Sequence, residues 1–400
     1  MSDAGDRVGF RSLLRGNVLV LSLVSLLNDT ASEMIFPLLP LFLVGTLGAG
    51  PAVLGLIEGV AESTSSIVKL LGGWLSDRMG RRRPLVAAGY TIAALGRPLI
   101  GLATAPWQVL AVRFTDRIGK GVRTAPRDAL LAESVDPRHR GAAFGLHRSA
   151  DHLGAVIGPL LASGLLLLMP GRLRTIFLLA AIPGVATALL ATFAVRETKP
   201  VASSAPGESL GLRALGPSFT RYLGVVVLFT LGNASDAFLL LRASDLGVST
   251  PLLLILWVAL HVSKSSSSLF GGSLADRKGP LRPILAGWLL YALMYAGFAL
   301  ASSTWHVWVL FLVYGVHHGL TETPEKALVA RMAPAALRGR AFGAYHFAIG
   351  VAALSASLGF GLLWQVRGAP AAFFVGAALA LVAAALLPLV VRGGLGEAPA

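Results

Sequence analysis

Asp29 and Glu33 stand four residues apart in one long apolar run, and Glu58 and Glu62 repeat that spacing in the next. On a helix, residues four apart share a face, one turn above the other. Desolvation in a low-dielectric cavity disfavours the carboxylate anion, whereas a neighbouring cation favours it. Competition between these two effects would let a carboxyl take up a proton and release it when another charge arrives. Asp29, Glu33, Glu58 and Glu62 are therefore the candidate proton-coupling residues.

Cations supply the second chemistry. Arg113, Asp116, Arg117, Lys120, Arg123 and Arg127 follow one another at spacings of three and four, a stripe on one helix face. At the rise of an α-helix the stripe is roughly 21 Å long. Asp116 balances one of these cations, which leaves an excess of positive charge. His147 and Arg148 follow in the next run with Asp151 and His152; Asp236, His261, Lys264 and His318 occur in later apolar runs. Guanidinium groups match carboxylates and phosphates in bidentate fashion. Arg113, Asp116, Arg117, Lys120, His147, Arg148, Asp236, His261, Lys264 and His318 are the candidate substrate-binding set, and an anion is the expected ligand. No spacing among histidines and carboxylates resembles a dedicated metal site, so no metal and no cofactor are expected.

The elements that must carry these residues are membrane helices. The chain of 400 residues is 55% hydrophobic and 14% charged, with a mean hydropathy of +0.72. Lipid is the natural solvent for such a chain. A ruler of about 20 apolar residues per span gives twelve helices, at about 17–46, 51–75, 85–105, 107–131, 142–169, 174–195, 219–245, 251–274, 283–302, 305–331, 341–365 and 370–391. An ionisable side chain at the centre of such a helix costs roughly 2.5 kcal/mol or more, so the charged residues above require a cavity or a partner. The net charge of +14 sits mostly in short loops between apolar runs, which marks topology and not a nucleic-acid surface. Arg78, Arg81, Arg82 and Arg83 fall between the second and third runs, and Arg277, Lys278 and Arg282 between the eighth and ninth. By the positive-inside rule both termini are cytoplasmic. The polar, basic Met1–Arg15 stretch precedes a long helix with acids inside it, and no cleaved signal peptide is expected. Cysteine is absent, which excludes disulfides and thiol chemistry.

The two halves repeat. Gly72-Gly73-Trp74-Leu75-Ser76-Asp77-Arg78 recurs as Gly271-Gly272-Ser273-Leu274-Ala275-Asp276-Arg277; Pro126-Arg127-Asp128-Ala129-Leu130 recurs as Pro324-Glu325-Lys326-Ala327-Leu328; Arg140-Gly141 recurs as Arg338-Gly339. These matches keep one order and nearly one spacing, which describes a duplicated six-helix unit of the kind that supports alternating access. The expected organisation is a six-helix bundle over 1–195, a Pro- and Ser-rich cytoplasmic linker over 196–217, and a second six-helix bundle over 218–400. The fold class is all-α, with twelve transmembrane helices in two pseudo-symmetric bundles.

Gly73, Asp77, Arg78, Gly80 and Arg81 belong to the run Gly73-Trp74-Leu75-Ser76-Asp77-Arg78-Met79-Gly80-Arg81-Arg82-Arg83. This run resembles the loop signature of the major facilitator superfamily, and Asp276 with Arg277 stands in its second, weaker copy. Gly154-Ala155-Val156-Ile157-Gly158-Pro159 resembles the superfamily's antiporter motif, with Ala162-Ser163 where a glycine pair usually closes it. Pro37-Leu38-Leu39-Pro40 is similar to a motif of its twelve-helix drug-export group, and Arg117-Ile118-Gly119-Lys120-Gly121 to a helix-4 motif that has glutamine where Lys120 stands. The resemblance covers the whole chain and extends to an uncharacterised prokaryotic branch. It implies that Gly73, Asp77, Arg78, Gly80, Arg81, Asp276 and Arg277 form a conformational latch between the halves, and that Gly154, Gly158 and Pro159 shape an antiporter helix.

Taken together, these features point to a proton-coupled secondary transporter in the prokaryotic plasma membrane, exporting a small anion such as a carboxylate or its metal chelate. The expected partners are a small-molecule substrate, protons and the lipid bilayer, with the protein as a monomer and no nucleic acid. Uptake of an anionic nutrient and efflux of lipophilic cations are the competing transport readings. An enzyme is not expected, because HExxH and Walker sequences are absent and the one G-x-S-x-G match, at 207–211, falls in the predicted linker.

Overall fold

The structure, a computed structural model, describes residues 16–79, 81–135, 140–198, 215–332 and 338–395. Among them are twelve helical stretches that follow the predicted runs closely. They are α1 (Gly16–Thr46), α2 (Pro51–Met79), α3 (Arg83–Leu102), α4 (Pro106–Glu133), α5 (Arg140–Leu168), α6 (Leu173–Ala194), α7 (Gly216–Asp245), α8 (Thr250–Lys278), α9 (Leu281–Leu300), α10 (Thr304–Met332), α11 (Arg338–Arg367) and α12 (Ala369–Leu395). No strand occurs among the described residues.

Eight of the twelve are long and apolar enough to cross a membrane. The other four, α2, α4, α8 and α10, have 28 or 29 residues each. They have ample length, and their polar residues set them apart. These four helices are rich in charged residues, which at membrane depth would have to be enclosed by protein and not by lipid.

Contacts divide the chain into two compact units. One comprises Met1–Leu39 and Ile67–Pro206, the other Pro40–Ser66 and Gly207–Ala400. The segment Pro40–Ser66 precedes the linker yet packs with the second unit. The reason is a small-residue seam: a methyl group added at Gly59 of α2 would lie 2.9 Å from Leu354 Cα of α11, so the helices meet at backbone distance. Of the predicted linker, residues 199–214 lie outside the described residues.

The first unit is built from close helix pairs. α3 and α4 touch through Gly89 and Gly119, where an added methyl would come within 2.5 and 2.7 Å of the opposite glycine's carbonyl oxygen. In the second unit, Gly232 of α7 and Gly376 of α12 do the same, at 2.7 and 2.8 Å. Its core is aromatic: Tyr291, Tyr295, Phe298 and Phe373 are fully buried, with the Tyr291 and Tyr295 rings stacked at 4.1 Å. Such rings bury a large area each and fix one another's geometry.

The first helix of each half is interrupted beside an acid. Regular α-helix in α1 stops at Glu33 and resumes through a 3₁₀ turn at Phe36–Leu38 and a π-helical stretch at Phe42–Thr46. Regular helix in α7 stops at Gly232 and resumes at Ala237, immediately after Asp236. Broken helices at membrane depth are tolerated where other groups satisfy the freed backbone. At the α7 break, Tyr291 donates to the Gly232 carbonyl at 2.9 Å, and the Ser235 amide donates to Ser357 Oγ at 3.4 Å.

Candidate functional site

The first unit encloses a cavity of about 160 Å³, lined by Asn28, Asp29, Ser32, Glu33 and Phe36 of α1, Arg97 of α3, and Arg117, Lys120 and Arg123 of α4. Two predicted acids and two predicted cations therefore share one space. Four cations and two acids form its wall.

The α4 stripe divides by depth. Asp116 is buried and takes the Arg97 guanidinium at 2.7 Å, so its partner comes from α3 and not from its own helix. The remaining Arg97 bonds go to Asn28, whose backbone and side-chain oxygens each accept at 3.0 Å. Arg123 donates to the Gly89 carbonyl at 3.0 Å and to Asn28 Oδ1 at 3.4 Å, and its guanidinium lies 4.4 Å from the Tyr90 ring centre. Arg113 stacks 5.2 Å from the Phe36 ring and lines a small recess beside Asp116. These are structural placements for buried cations. Arg117 and Lys120 are the α4 cations from the predicted set that line the main cavity.

Arg97 and Asn28 were missed by sequence reading. Arg97 lies in an apolar run without a charged neighbour, and only the fold brings it to Asp116. Asn28 now stands as a hub: it accepts from Arg97 and Arg123 and donates its amide to Asp29 at 2.8 Å.

Gly154 and Gly158 seat α5 directly on the acid face of α1. A methyl added at Gly154 would lie 2.5 Å from the Leu26 carbonyl and 3.0 Å from Asp29 Cβ; one at Gly158 would lie 2.6 Å from the Thr30 carbonyl and 3.0 Å from Glu33 Cβ. Pro159 follows inside the helix. His147 does not line the cavity. It is buried and faces Asp151 at 3.7 Å, while Arg148, 61% exposed, approaches the same carboxylate from outside.

The second unit holds a separate polar centre. Lys264 of α8 donates to Asp236 at 2.8 Å, and Tyr314 of α10 donates to the other carboxylate oxygen at 2.8 Å. His318 meets the Tyr314 ring edge-on at 5.2 Å, and His261 packs against Trp257 at 5.0 Å. Asp236, Lys264 and His318 thus meet beside the α7 break. Glu58 is buried in this unit, with Ser235 Oγ donating to it at 3.4 Å; Glu62 is exposed.

Of the predicted latch, Gly80 lies outside the described residues, and the side-chain placements of Asp77, Arg78 and Asp276, like the surroundings of Gly73, are outside them too. Arg81 and Arg277 are exposed. The neighbouring arginines are described in detail. Glu197, beyond the end of α6, accepts the backbone amides of Arg82 and Arg83 at 3.1 and 3.0 Å, capping α3. Arg82 pairs with Glu133, which also accepts the Thr198 hydroxyl at 2.6 Å.

The comparisons with known proteins agree with this architecture. The model of the Major Facilitator Superfamily matches residues 21–357 and, again, 222–398. An uncharacterised MFS-type transporter of Methanocaldococcus jannaschii is 31% identical over 380 residues, 94% of each chain. The multidrug resistance protein MdtH of Photorhabdus laumondii subsp. laumondii is 34% identical over 133 residues, 33% of each chain. Among solved structures, a bacterial homologue of the human lysosomal transporter Spinster superposes with a TM-score of 0.77 at 18% identity, covering 96% of this chain and 98% of that one. A single-substitution variant of the nucleoside transporter NupG superposes with a TM-score of 0.80 at 15% identity, covering 94% of this chain and 100% of that one. With a family model spanning nearly its whole length and an MFS-type relative matched from end to end, this chain belongs to the major facilitator superfamily of integral membrane transporters.

Proposed function

We propose that the protein is a proton-coupled secondary transporter that exports a small organic anion by alternating access, with all twelve helices spanning a prokaryotic plasma membrane and both termini cytoplasmic. One observation carries the reading. Asp29 and Glu33 share a 160 Å³ cavity with Arg117 and Lys120, so proton-binding and anion-binding groups compete within one space. In the second unit, Lys264 and Asp236 supply a further cation–acid pair at the broken α7, where discontinuous transporter helices commonly bind substrates or ions. The latch at Asp77 and Arg78 is proposed to stabilise one of the two access states.

Efflux of lipophilic cations is the second reading. Buried Glu58 favours it, as does similarity to a protein named for multidrug resistance. A thermal-shift screen of the purified protein against organic acids, metal–carboxylate chelates and lipophilic cations separates the two. Stabilisation by acids or chelates supports the proposal. Stabilisation by cations alone overturns the anion assignment.

A further inference from the structure

We propose that Asp151 and His147 of α5 form a proton-sharing relay with Asp29, so that a proton bound at the cavity passes along the α1–α5 seam toward the ends where both helices begin. The inference rests on the proton-coupled reading and adds two residues and a direction to it.

The seam is built for such a path. Ser25, Asp29 and Glu33 stand at successive four-residue intervals on one face of α1. Opposite them on α5, running the same way, come His147, Asp151, Gly154 and Gly158. Ser25 donates to Asp151, and Gly154, three residues beyond Asp151, lies against Asp29. Asp151 is therefore held about one helical turn from Asp29, and the two carboxylates interact electrostatically. Lys120, Arg97 and Asn28 also face Asp29. On the far side of Asp151, His147 is only 3% exposed, and its Nε2 has no hydrogen-bond partner among the described residues; neither has Ser22 Oγ, one turn before Asp29's own neighbour Ser25 on α1. Buried polar atoms left in this way are costly unless something visits them. The charges facing His147 are Asp151, Arg127, Asp128, Arg148 and Asp29, of which Arg127 and Asp128 pair with each other at 2.8 Å.

The transfer is a proton hop, made when side-chain rotation or one bridging water brings each pair within hydrogen-bond reach. The O–H bond of protonated Asp29 breaks as one forms on the Asp151 carboxylate. The Asp151 O–H bond then breaks as an N–H bond forms on neutral His147, restoring the Asp151 anion and leaving imidazolium. Charge and atoms balance without another reactant. Ser25 and Asp151 are positioning and relay groups; neither lines the substrate cavity.

Infrared difference spectra of the full chain in liposomes, titrated with acid alone, test this. The C=O stretch of protonated carboxyl groups reports each acid, and Asp29→Asn identifies the Asp29 band by its loss. In Asp151→Asn and in His147→Gln the midpoint of the Asp29 band should be displaced by about one pH unit or more, about tenfold in proton affinity, as for strongly interacting sites. Ser25→Ala, a milder change, should displace the Asp151 band. An Asp29 midpoint that stays at its wild-type value in both α5 variants overturns the relay, and if wild-type flux is nevertheless driven by pH the coupling reading stands without it. A displaced midpoint in a protein without pH-driven flux overturns the coupling reading and the relay's purpose together.

Discussion

Arg97 on α3 and Asp116 on α4 hold one another at 2.7 Å, both buried within the first unit. Asp116 is also the carboxylate that faces Arg113, Arg117 and Arg123, so one acid anchors a group of guanidiniums. Asp116→Asn should cost about 3–5 kcal/mol of stability, because buried cations are left without their counter-charge. The melting temperature of purified protein checks this, and Asp116→Asn combined with Arg97→Gln should melt higher than Asp116→Asn alone. Equal melting of the single variant and the wild type would remove Asp116 from the scaffold.

Close packing of α5 on α1 yields a second expectation. Gly158→Leu would force its side chain into the Thr30 carbonyl and should destabilise the protein by about 1–3 kcal/mol through overpacking. Gly164, on the same helix, has nothing within 4 Å of an added methyl. Gly164→Ala should melt like the wild type. If both substitutions behave alike, the seam is not a tight contact.

The Lys264–Asp236 pair should behave as a unit. Lys264→Met leaves the Asp236 carboxylate with only the Tyr314 hydroxyl among its hydrogen-bond donors named above, and should destabilise the second unit by about 3–5 kcal/mol. Adding Asp236→Asn should recover part of that loss, since the charge is then removed from both sides. A double variant less stable than either single variant would mean that the two side chains act independently.

Selectivity is tested by charge removal at the cavity. Arg117→Gln or Lys120→Gln should weaken binding of the anion found in the thermal-shift screen by about 2–5 kcal/mol, with the protein still monodisperse. Normal affinity in both variants would make the whole α4 stripe structural.

Much of the architecture was legible in the sequence because lipid imposes a length ruler and the chain repeats itself. All twelve helical stretches lie where apolar runs placed them, including α4 and α10, whose polar residues obscure hydropathy. Periodicity also grouped Asp29 with Glu33, and Arg117 with Lys120. What remained hidden was pairing between helices. Arg97 carries no local signal, yet it takes Asp116; Asn28 looks like an ordinary polar residue, yet it joins Arg97, Arg123 and Asp29. The interruption of α7 was hidden as well, since no proline marks the break at Asn233–Ser235. Motif residues gained a physical meaning only from contact, as with Gly154 and Gly158 against the acid face of α1.

The central claim is that an acid in the α1 cavity exchanges protons against an anion. Its most direct measurement is accumulation of the identified anion in proteoliposomes with an acidic lumen, compared for wild type, Asp29→Asn and Glu33→Gln, alongside substrate exchange without a gradient. The account predicts that wild type concentrates the anion above equilibrium as protons leave. At least one of the two variants should equilibrate it without concentrating it, while retaining exchange. Undiminished pH-driven accumulation in both variants, or none in the wild type while exchange proceeds, would contradict it.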